Sequence, residues 1–467
     1  MRSTFIHKDK KHHSLIVFFA GWGMDEKPFL SLPSNGCDVL VCYDYTDLTP
    51  LSLPINEYST ILVFAWSFGV YAASLQIASG TLHPNLAIAI NGTMFPIDDT
   101  KGIPSAIFDS TLKNLSEESL RKFRLRMCGS RSLFSRFTEH LPDRSLNSLR
   151  DELIAVKQSY AAQQPSCRWD KAYISTDDRI FPPENQHRGW KDFAEETISL
   201  PGAHLPKDIG DIIAANIIDK EYVRQNFERS LHTYKQNASV QGIIAEHLCH
   251  YWESVDDRTG ISIYEIGCGI GMLTQLYAQS RRPKNILLTD IADIPAECFS
   301  DIDSPHTFQR CDAEYTIPTG KFDVIVTSST IQWFENTERF LKHIREAMTP
   351  GGLLVIATFG KNNLMEVRSV FKSSLNYLSA EKWKSYLSEN GYEILHFSEE
   401  KIITEFSSPR ELLDNLKRTG VNGTKPPSGV TKEMVCQIHD MPKNANGKYQ
   451  LSYHPIYIIA RLKTEQK

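Results

Sequence analysis

The sequence has few of the features that mark specialised classes of protein. Its nine cysteines are scattered and none forms a Cys-x-x-Cys pair, so neither a disulfide framework nor a zinc knuckle is indicated. No apolar run reaches the roughly 18 residues that a membrane-spanning helix needs. The net charge of −5 offers no general attraction for nucleic acid, and no His-Glu-x-x-His or other metal-binding spacing occurs. These absences predict a soluble, cytoplasmic protein that works without a metal, a membrane or a nucleic acid.

Length and local pattern indicate two α/β domains. The 467 residues are about three times a typical domain of roughly 150 residues. Buried strands are predicted at 14–20, 37–43, 60–65, 86–91 and 172–175, with helices at 70–79 and between 110 and 160. A helical lead-in is predicted over 222–253, followed by strands at 262–266, 286–289, 322–327 and 353–358. The alternation predicts domains over 1–215 and 222–467, each with a mostly parallel sheet covered on both faces.

A serine stands between a predicted strand and a predicted helix in the first domain. The run Ala65-Trp66-Ser67-Phe68-Gly69 places small residues two positions before and two positions after Ser67. This pattern is typical of a nucleophile elbow, in which larger side chains would collide with neighbouring elements. Ala65 stands where the pattern usually has glycine, but it is still small. The alternative interpretation is that Ser67 only caps the helix.

Two downstream residues support the nucleophile interpretation. In the α/β-hydrolase fold the serine is followed along the chain by an acid and then by a histidine. Asp178 follows a predicted strand and His204 lies in a later loop, so both occur in that order. We therefore predict an N-terminal α/β-hydrolase fold in which His204 takes the proton of Ser67 and Asp178 fixes the tautomer of His204.

Other groups complete this predicted site. Asp177, Asp98 and Asp99 remain alternatives for the acid. Gly21-Trp22-Gly23 follows the first buried strand, so the backbone N–H of Trp22 can form an oxyanion hole with that of Phe68. The chemistry predicted is acyl transfer to water without a metal.

A basic stretch lies where α/β-hydrolases insert a helical cap. It contains no Asp or Glu over sixteen residues, and its cations are Arg121, Lys122, Arg124, Arg126, Arg131 and Arg136. A solvated helix face is the ordinary interpretation of such a stretch. In a protein of net negative charge it is also a candidate docking surface for an acidic carrier protein.

A glycine-rich loop opens the predicted second domain. Gly267, Gly269 and Gly271 follow a buried strand with G-x-G-x-G spacing, which lets the backbone approach a nucleotide-like ligand. The dinucleotide form would need glycine at position 272, which is Met272, so NAD is disfavoured. Glu265, ahead of the loop, suits a ligand that carries an ammonium group.

Acidic residues at later strand ends extend this pattern. Asp290 ends the next predicted strand, where a carboxylate can bind ribose hydroxyls. Asp312 and Ala313, in the run Asp312-Ala313-Glu314, can contact an adenine amino group. The ordered set resembles class I, Rossmann-like S-adenosylmethionine-dependent methyltransferases. No Asn-Pro-Pro-Tyr follows the fourth strand, so methylation of an amino group is not indicated. The methyl acceptor can be a carboxylate or another oxygen. A carboxylate acceptor needs no general base.

The two halves resemble two families of biotin synthesis. Residues 1–215 resemble the BioG-type pimeloyl-[acyl-carrier protein] methyl ester esterase, through segments at 19–24, 65–69, 89–93, 126–128, 181–183 and 202–204. Residues 222–467 resemble malonyl-[acyl-carrier protein] O-methyltransferase, BioC, through segments at 223–227, 234–241, 265–271, 331–333, 359–360 and 416–422.

The resemblance implies opposite reactions at the two ends of one pathway. A methyltransferase would esterify the free carboxylate of malonyl-[acyl-carrier protein], and the esterase would later release methanol and leave pimeloyl-[acyl-carrier protein]. It further implies Tyr234 and Gln332 as acceptor-pocket residues and the segment 416–422 as part of a lid. Two alternatives remain: a generic carboxylesterase or lipase fused to a small-molecule O-methyltransferase, and a non-catalytic scaffold with one degenerate half.

Overall fold

A computed structural model describes residues 1–9, 13–49, 57–367, 375, 377–418 and 432–464 of the chain. The chain divides into two compact units, Met1–Ile213 and Ala214–Lys467. Each unit contains its own seven-stranded sheet and its own buried apolar core.

The first unit is built on a mostly parallel sheet. Its strands are β1 (Arg2–His7), β2 (Ser14–Phe19), β3 (Asp38–Tyr43), β4 (Thr60–Trp66), β5 (Leu86–Ile90), β6 (Trp169–Ser175) and β7 (Ala194–Leu200). They lie in the order β1-β3-β2-β4-β5-β6-β7, and β1 alone is antiparallel to its neighbour. Every residue of β2 to β5 is buried, as a parallel sheet covered on both faces requires. The predicted α/β architecture is confirmed here.

The helices of the first unit include an insertion of four between β5 and β6. They are α1 (Phe68–Ala78), α2 (Ser105–Lys113), α3 (Glu117–Cys128), α4 (Arg131–Thr138), α5 (Leu146–Ala162) and α6 (Pro183–Trp190). A further helix, α7 (Ile209–Ala215), begins in this unit and includes the boundary at Ile213. The serines Ser116, Ser130 and Ser145 start α3, α4 and α5, because each side chain accepts a backbone N–H of the first turn. These caps divide the predicted basic stretch between α3 and α4.

The second unit has a different strand order. Its strands are β8 (Ser262–Ile266), β9 (Asn285–Asp290), β10 (His306–Arg310), β11 (Phe322–Ser328), β12 (Met348–Phe359), β13 (Tyr392–Glu399), β14 (Ile402–Phe406), β15 (Tyr449–Tyr453) and β16 (Pro455–Leu462). The main sheet runs β10-β9-β8-β11-β12-β16-β13, with β16 antiparallel to both neighbours, while β14 and β15 form a separate pair. The order reverses between β8 and β11, and ligands bind at the carboxyl ends of strands at such a point.

The helices of the second unit begin with two where one lead-in was predicted. They are α8 (Lys220–Asn237), α9 (Ser239–Val255), α10 (Met272–Arg281), α11 (Thr337–Ile344), α12 (Ala380–Glu389), α13 (Pro409–Arg418) and α14 (Lys432–His439). The predicted helix over 222–253 is interrupted at Ala238, whose ψ of 38° leaves the helical range. Among the described residues, no helix has both the length and the apolar character needed to cross a membrane.

Candidate active sites

Ser67 occupies a strained turn between β4 and α1. Its φ of 60° and ψ of −127° lie in a region that residues other than glycine rarely adopt. The turn is possible because α1 begins in close contact with β2. A Cβ at Gly69 would lie only 2.2 Å from the carbonyl oxygen of Phe19, so no larger residue fits there. The requirement of the sequence pattern for a small residue at this position therefore has a direct steric cause.

The structure brings Ser67, His204 and Asp178 into one chain of contacts. Nε2 of His204 lies 2.9 Å from Oγ of Ser67, and Nδ1 of His204 lies 2.8 Å from Oδ2 of Asp178. All three side chains are buried. The indole N–H of Trp66 and the amide of Asn91 donate to the carbonyl oxygen of His204, at 2.9 and 2.8 Å. These two donors fix the backbone that carries the imidazole, a role that the sequence analysis predicts for neither residue.

Asp178 is held by four hydrogen bonds. Its Oδ1 accepts the N–H groups of Ile180 and Phe181, at 2.8 and 3.0 Å. Its Oδ2 faces His204 and also accepts a hydrogen bond from the side-chain amide of Gln186 at 3.0 Å. Backbone and amide donors of this kind stabilise a carboxylate and restrict its orientation. Gln186 is a further residue that the sequence did not point to.

The alternative acids lie elsewhere. Asp177 is exposed, although it is adjacent to Asp178 in the chain. Asp98 accepts hydrogen bonds from the backbone of Thr100 and Lys101, while Asp99 accepts one from the backbone of Ser105. These last two carboxylates therefore cap turns in the segment after β5.

A cavity of about 440 Å³ opens beside Ser67. Trp22 and Phe68, which are predicted to supply the oxyanion hole, line it together with Ser67. The remaining lining is mainly apolar and comes from the inserted helices and the turn after β6: Ile103, Ile107, Phe108, Thr111, Phe123, Arg126, Leu153, Arg179 and Ile180. The space beside the serine thus fits an aliphatic chain, with two guanidinium groups among its walls.

The basic stretch lies on exposed surfaces of α3 and α4. Arg121, Lys122 and Arg126 are exposed, and Arg124 is partly buried. Lys122 forms an ion pair with Glu118 one turn earlier, at 2.6 Å. Arg126 is the member of this group that also lines the Ser67 cavity. The cations therefore extend from the helical surface to the cavity.

In the second unit the glycine-rich loop is tied to the end of β9. The N–H groups of Gly267 and Cys268 donate to the carbonyl oxygen of Thr289, at 2.8 and 3.0 Å. The N–H of Gly269 donates to Oδ2 of Asp290 at 2.9 Å, and burial raises the pKa of Asp290. The carboxylate that was predicted to bind ribose thus also positions the loop.

A cavity of about 850 Å³ lies at the carboxyl ends of β8, β9 and β11. Six residues predicted from the sequence line it: Gly267, Gly269, Asp290, Asp312, Ala313 and Tyr234. Gly271 and Gln332 are not among the lining residues, because Gly271 starts α10 and the amide of Gln332 donates to the carbonyl oxygen of Ser329. The segment 416–422, predicted to contribute to a lid, lies outside the described residues from 419 onward.

Glu265 does not reach this cavity. Its Oε2 accepts hydrogen bonds from the hydroxyl groups of Tyr277 and Thr274, at 2.6 and 2.7 Å, and its side chain is buried. Burial raises the pKa of Glu265 to about 7 despite these two donors. Its carboxylate thus joins β8 to α10, and Glu265 is not among the residues that line the cavity.

Lys220 is a cavity residue that sequence reasoning missed. At the start of α8 it contacts the carboxylates of Asp312, at 2.7 Å, and Glu314. Burial opposes its charge, yet Glu314 and Asp312 hold the pKa of Lys220 above its usual value. A cation here is needed because Glu314 is itself buried and already accepts the N–H groups of Glu335 and Asn336.

The cavity has the chemistry that S-adenosylmethionine requires. Ser329 and Trp333 are among its lining residues, and their buried Oγ and Nε1 atoms have no hydrogen-bond partner among the described residues. Carboxylates of Asp290 and Asp312 face it alongside apolar side chains such as Ile294. Within the described ranges, no group of three or more His, Cys, Asp or Glu side chains is arranged to hold a metal ion.

Comparisons with known proteins assign both units. Residues 1–205 match the family described as pimeloyl-ACP methyl esterase BioG, and residues 240–397 match a family described as a methyltransferase domain. A malonyl-[acyl-carrier protein] O-methyltransferase of Bacteroides fragilis (strain 638R) is 39% identical over 455 residues, which span 96% of this chain and 92% of that protein.

Two shorter relatives each correspond to one unit. A malonyl-[acyl-carrier protein] O-methyltransferase of Haemophilus influenzae is 32% identical over 251 residues, covering 52% of this chain and 95% of that protein. The crystal structure of BioG from Haemophilus influenzae is 35% identical and covers 44% of this chain and 94% of that chain, with a TM-score of 0.40.

Proposed function

The chain belongs to the malonyl-[acyl-carrier protein] O-methyltransferase family, and we propose from this membership that it performs two reactions on acyl groups held by acyl carrier protein. The second unit, which has the class I methyltransferase fold, methylates the free carboxylate of malonyl-[acyl-carrier protein] with S-adenosylmethionine. The first unit hydrolyses pimeloyl-[acyl-carrier protein] methyl ester to pimeloyl-[acyl-carrier protein] and methanol. The predicted fusion of these two biotin-synthesis families is confirmed by the matches to both halves.

The first unit supports an α/β-hydrolase assignment. Its parallel strands, the serine between β4 and α1 and the chain order Ser67, Asp178, His204 all agree with that fold. The observation that carries the esterase proposal is the continuous contact from Ser67 Oγ through His204 to Asp178, at 2.9 and 2.8 Å.

The esterase mechanism follows from these contacts. Oγ of Ser67 attacks the ester carbonyl carbon while Nε2 of His204 takes the hydroxyl proton, and Asp178 holds the proton on Nδ1. The backbone N–H groups of Trp22 and Phe68 stabilise the oxyanion. His204 then gives its proton to the departing methoxide, which leaves as methanol. Water, deprotonated by His204, attacks the acyl-serine and releases the pimeloyl carboxylate and Ser67.

In the second unit the chain supplies position rather than acid–base chemistry. S-adenosylmethionine, when bound, supplies an electrophilic methyl group. Asp290 would hold its ribose and Asp312 its adenine, and Gly267 and Gly269 would let the backbone approach its amino-acid portion. Tyr234 lines the same cavity and is a candidate wall for the acceptor. A carboxylate acceptor is already nucleophilic, so alignment of the two reactants provides the rate.

The two reactions have a common physical purpose. A charged chain end is costly to bury in the apolar channels of fatty-acid elongation, and a methyl ester removes that charge. The esterase restores the carboxylate after elongation. Both substrates are attached to an acidic carrier, which favours a basic docking surface. We assign that surface to α3, with Arg121, Lys122, Arg124 and Arg126 as its cations.

The direct test uses the purified full-length chain with two carrier-bound substrates. We expect transfer of a labelled methyl group from S-adenosylmethionine to malonyl-[acyl-carrier protein], and methanol release from the seven-carbon methyl ester. Free malonate and a free pimelate ester serve as controls, and both should react more slowly because they lack the carrier. Absence of both reactions with active carrier substrates would contradict the proposal.

The esterase is expected to discriminate against the methyl ester that its own chain makes. The seven-carbon ester has four more methylene groups than the three-carbon ester to place in the apolar Ser67 cavity. At about 0.8 kcal/mol per buried methylene, the difference is roughly 3 kcal/mol, or about 100-fold in kcat/KM. Measured kcat/KM values for the two carrier-bound esters check this, and equal values would refute it.

Gly269→Arg is expected to block the methyltransferase alone. Gly269 lines the cavity, and a Cβ at this position would meet no protein atom within 4 Å. The arginine would therefore occupy ligand space without displacing the fold, and we expect binding of S-adenosylhomocysteine to weaken by at least about 100-fold in calorimetry.

Gly260→Arg is the matched control. Gly260 also has a positive φ and no protein atom within 4 Å of a built Cβ, but it does not line the cavity. Both variants carry the same backbone strain and the same added side chain. Equal loss of binding in the two variants would show that strain, not occupation of the cavity, is the cause.

A further inference from the structure

A carboxylate buried behind the Ser67 site has no part in the mechanism above. Glu152 lies on α5 and its side chain is fully buried. Its Oε2 accepts the N–H of Gly23 at 3.2 Å, and its Oε1 accepts the N–H of Tyr45 at 3.1 Å. One carboxylate therefore joins the loops that follow β2 and β3.

Arg144 completes this arrangement from the same segment of chain. One of its guanidinium nitrogens lies 3.4 Å from Glu152 and 2.9 Å from Asp44, so the buried charges are paired. Another nitrogen donates to the carbonyl oxygen of Met24 at 3.0 Å. Burial still raises the pKa of Glu152 to about 7, against the lowering effect of Arg144.

Two more hydrogen bonds connect the same loop to this segment. The indole N–H of Trp22 donates to the carbonyl oxygen of Leu149 at 3.0 Å, and Asp25 accepts the N–H of Asp143 at 2.6 Å. Residues 22 to 25 each form a hydrogen bond to residues 143–152, the last part of the insertion between β5 and β6.

The opposite side of this loop faces the nucleophile. A Cβ at Gly21 would lie 3.1 Å from Cβ of Ser67, so the loop passes in direct contact with the serine. Trp22, the next residue, lines the Ser67 cavity. A shift of this backbone would move the N–H of Trp22 relative to the reacting carbonyl, and oxyanion stabilisation depends steeply on that position.

We propose that Glu152, paired with Arg144, is a positioning residue for ester hydrolysis: it fixes the backbone of residues 21–24 so that the N–H of Trp22 meets the oxyanion. The inference rests on the proposed esterase function. Glu152 touches no substrate and acts through the loop. A buried ion pair is costly to maintain, and an apolar pair would often give equal stability. Its use here is to place two backbone N–H groups, which an apolar side chain cannot do.

The test is Glu152→Gln in the full-length chain. The amide offers an acceptor to only one of the two N–H groups and removes one of the two carboxylates that pair with Arg144. We expect kcat for the seven-carbon ester to fall about 10- to 100-fold with KM changed less than twofold. The rate at which a fluorophosphonate labels Ser67 should fall by the same factor, because phosphonylation also needs the oxyanion donors. The labelling assay does not depend on the carrier substrate, so it separates failure of this inference from failure of the proposed function.

Asp38→Asn is the control for loss of a buried carboxylate. Asp38 is buried at the start of β3, the opposite end of that strand, and accepts hydrogen bonds from Tyr58 and from the N–H of Asp9. We expect it to lower thermal stability while leaving kcat and labelling within twofold. Unchanged kcat in Glu152→Gln, or an equal loss in Asp38→Asn, would overturn the proposal. If Glu152→Gln does not fold, Arg144→Lys, which loses the bond to Met24, must give the same selective loss of kcat.

Discussion

Replacement of Ser67 by alanine is expected to abolish methanol release from the seven-carbon methyl ester, with a fall in kcat on the order of 10⁶-fold. The Ser67 hydroxyl is the nucleophile of the step that releases methanol, and removal of the serine from comparable triads costs about that factor. Ser67 is buried and its Oγ contacts Nε2 of His204 at 2.9 Å, so alanine removes one hydrogen bond and little volume. The fold should therefore persist.

The second unit provides the internal control for this variant. Methyl transfer to malonyl-[acyl-carrier protein] should stay within twofold of the wild-type rate, because the glycine-loop cavity belongs to a separate compact unit. Binding of the seven-carbon ester should also persist, which allows the substrate complex to be isolated. Methanol release at more than a tenth of the wild-type rate would show that another group is the nucleophile.

The serine turn could be predicted because its determinants are local. Five consecutive residues contain the strand end, the nucleophile and the small residue that lets α1 approach β2. The glycine loop and Asp290 are predictable for the same reason, since spacing along β8 and β9 places them at one edge of the sheet. Local pattern therefore gave the fold class and the centre of each candidate site.

Strands at the margins of the sheets were missed because they lack a buried pattern. β1 and β7 are partly exposed and carry charged or polar residues, so no apolar run marks them. β13 and β14 likewise consist mostly of exposed or partly buried positions, with one buried residue each. Such strands are defined by their pairing partners rather than by their own composition.

Supporting residues were missed because their contacts are distant in sequence. Lys220 meets Asp312 across 92 positions, and Glu152 meets Gly23 across 129. When a helix carries a buried carboxylate, the sequence does not indicate which N–H groups donate hydrogen bonds to it. Glu265 shows the converse. Its place ahead of the glycine loop suggested a ligand contact, while in the structure its carboxylate accepts hydrogen bonds from Thr274 and Tyr277 on α10.

Asp178→Asn is expected to lower esterase kcat by about 10⁴-fold without unfolding the protein. Oδ1 of Asp178 accepts two backbone N–H groups, so the asparagine must place its carbonyl oxygen there. Its NH₂ group then faces Nδ1 of His204 and donates to it. The imidazole proton is thereby held on Nε2, the atom that must accept the proton of Ser67, and a wrong tautomer of this kind costs about 10⁴ in kcat.

Asp177→Asn makes the same chemical change one residue earlier, on an exposed side chain, and should leave kcat within twofold. The pair therefore decides between two adjacent acids that sequence alone could not separate. Equal losses in both variants, or a loss only in Asp177→Asn, would contradict the assignment of Asp178 as the residue that orients His204.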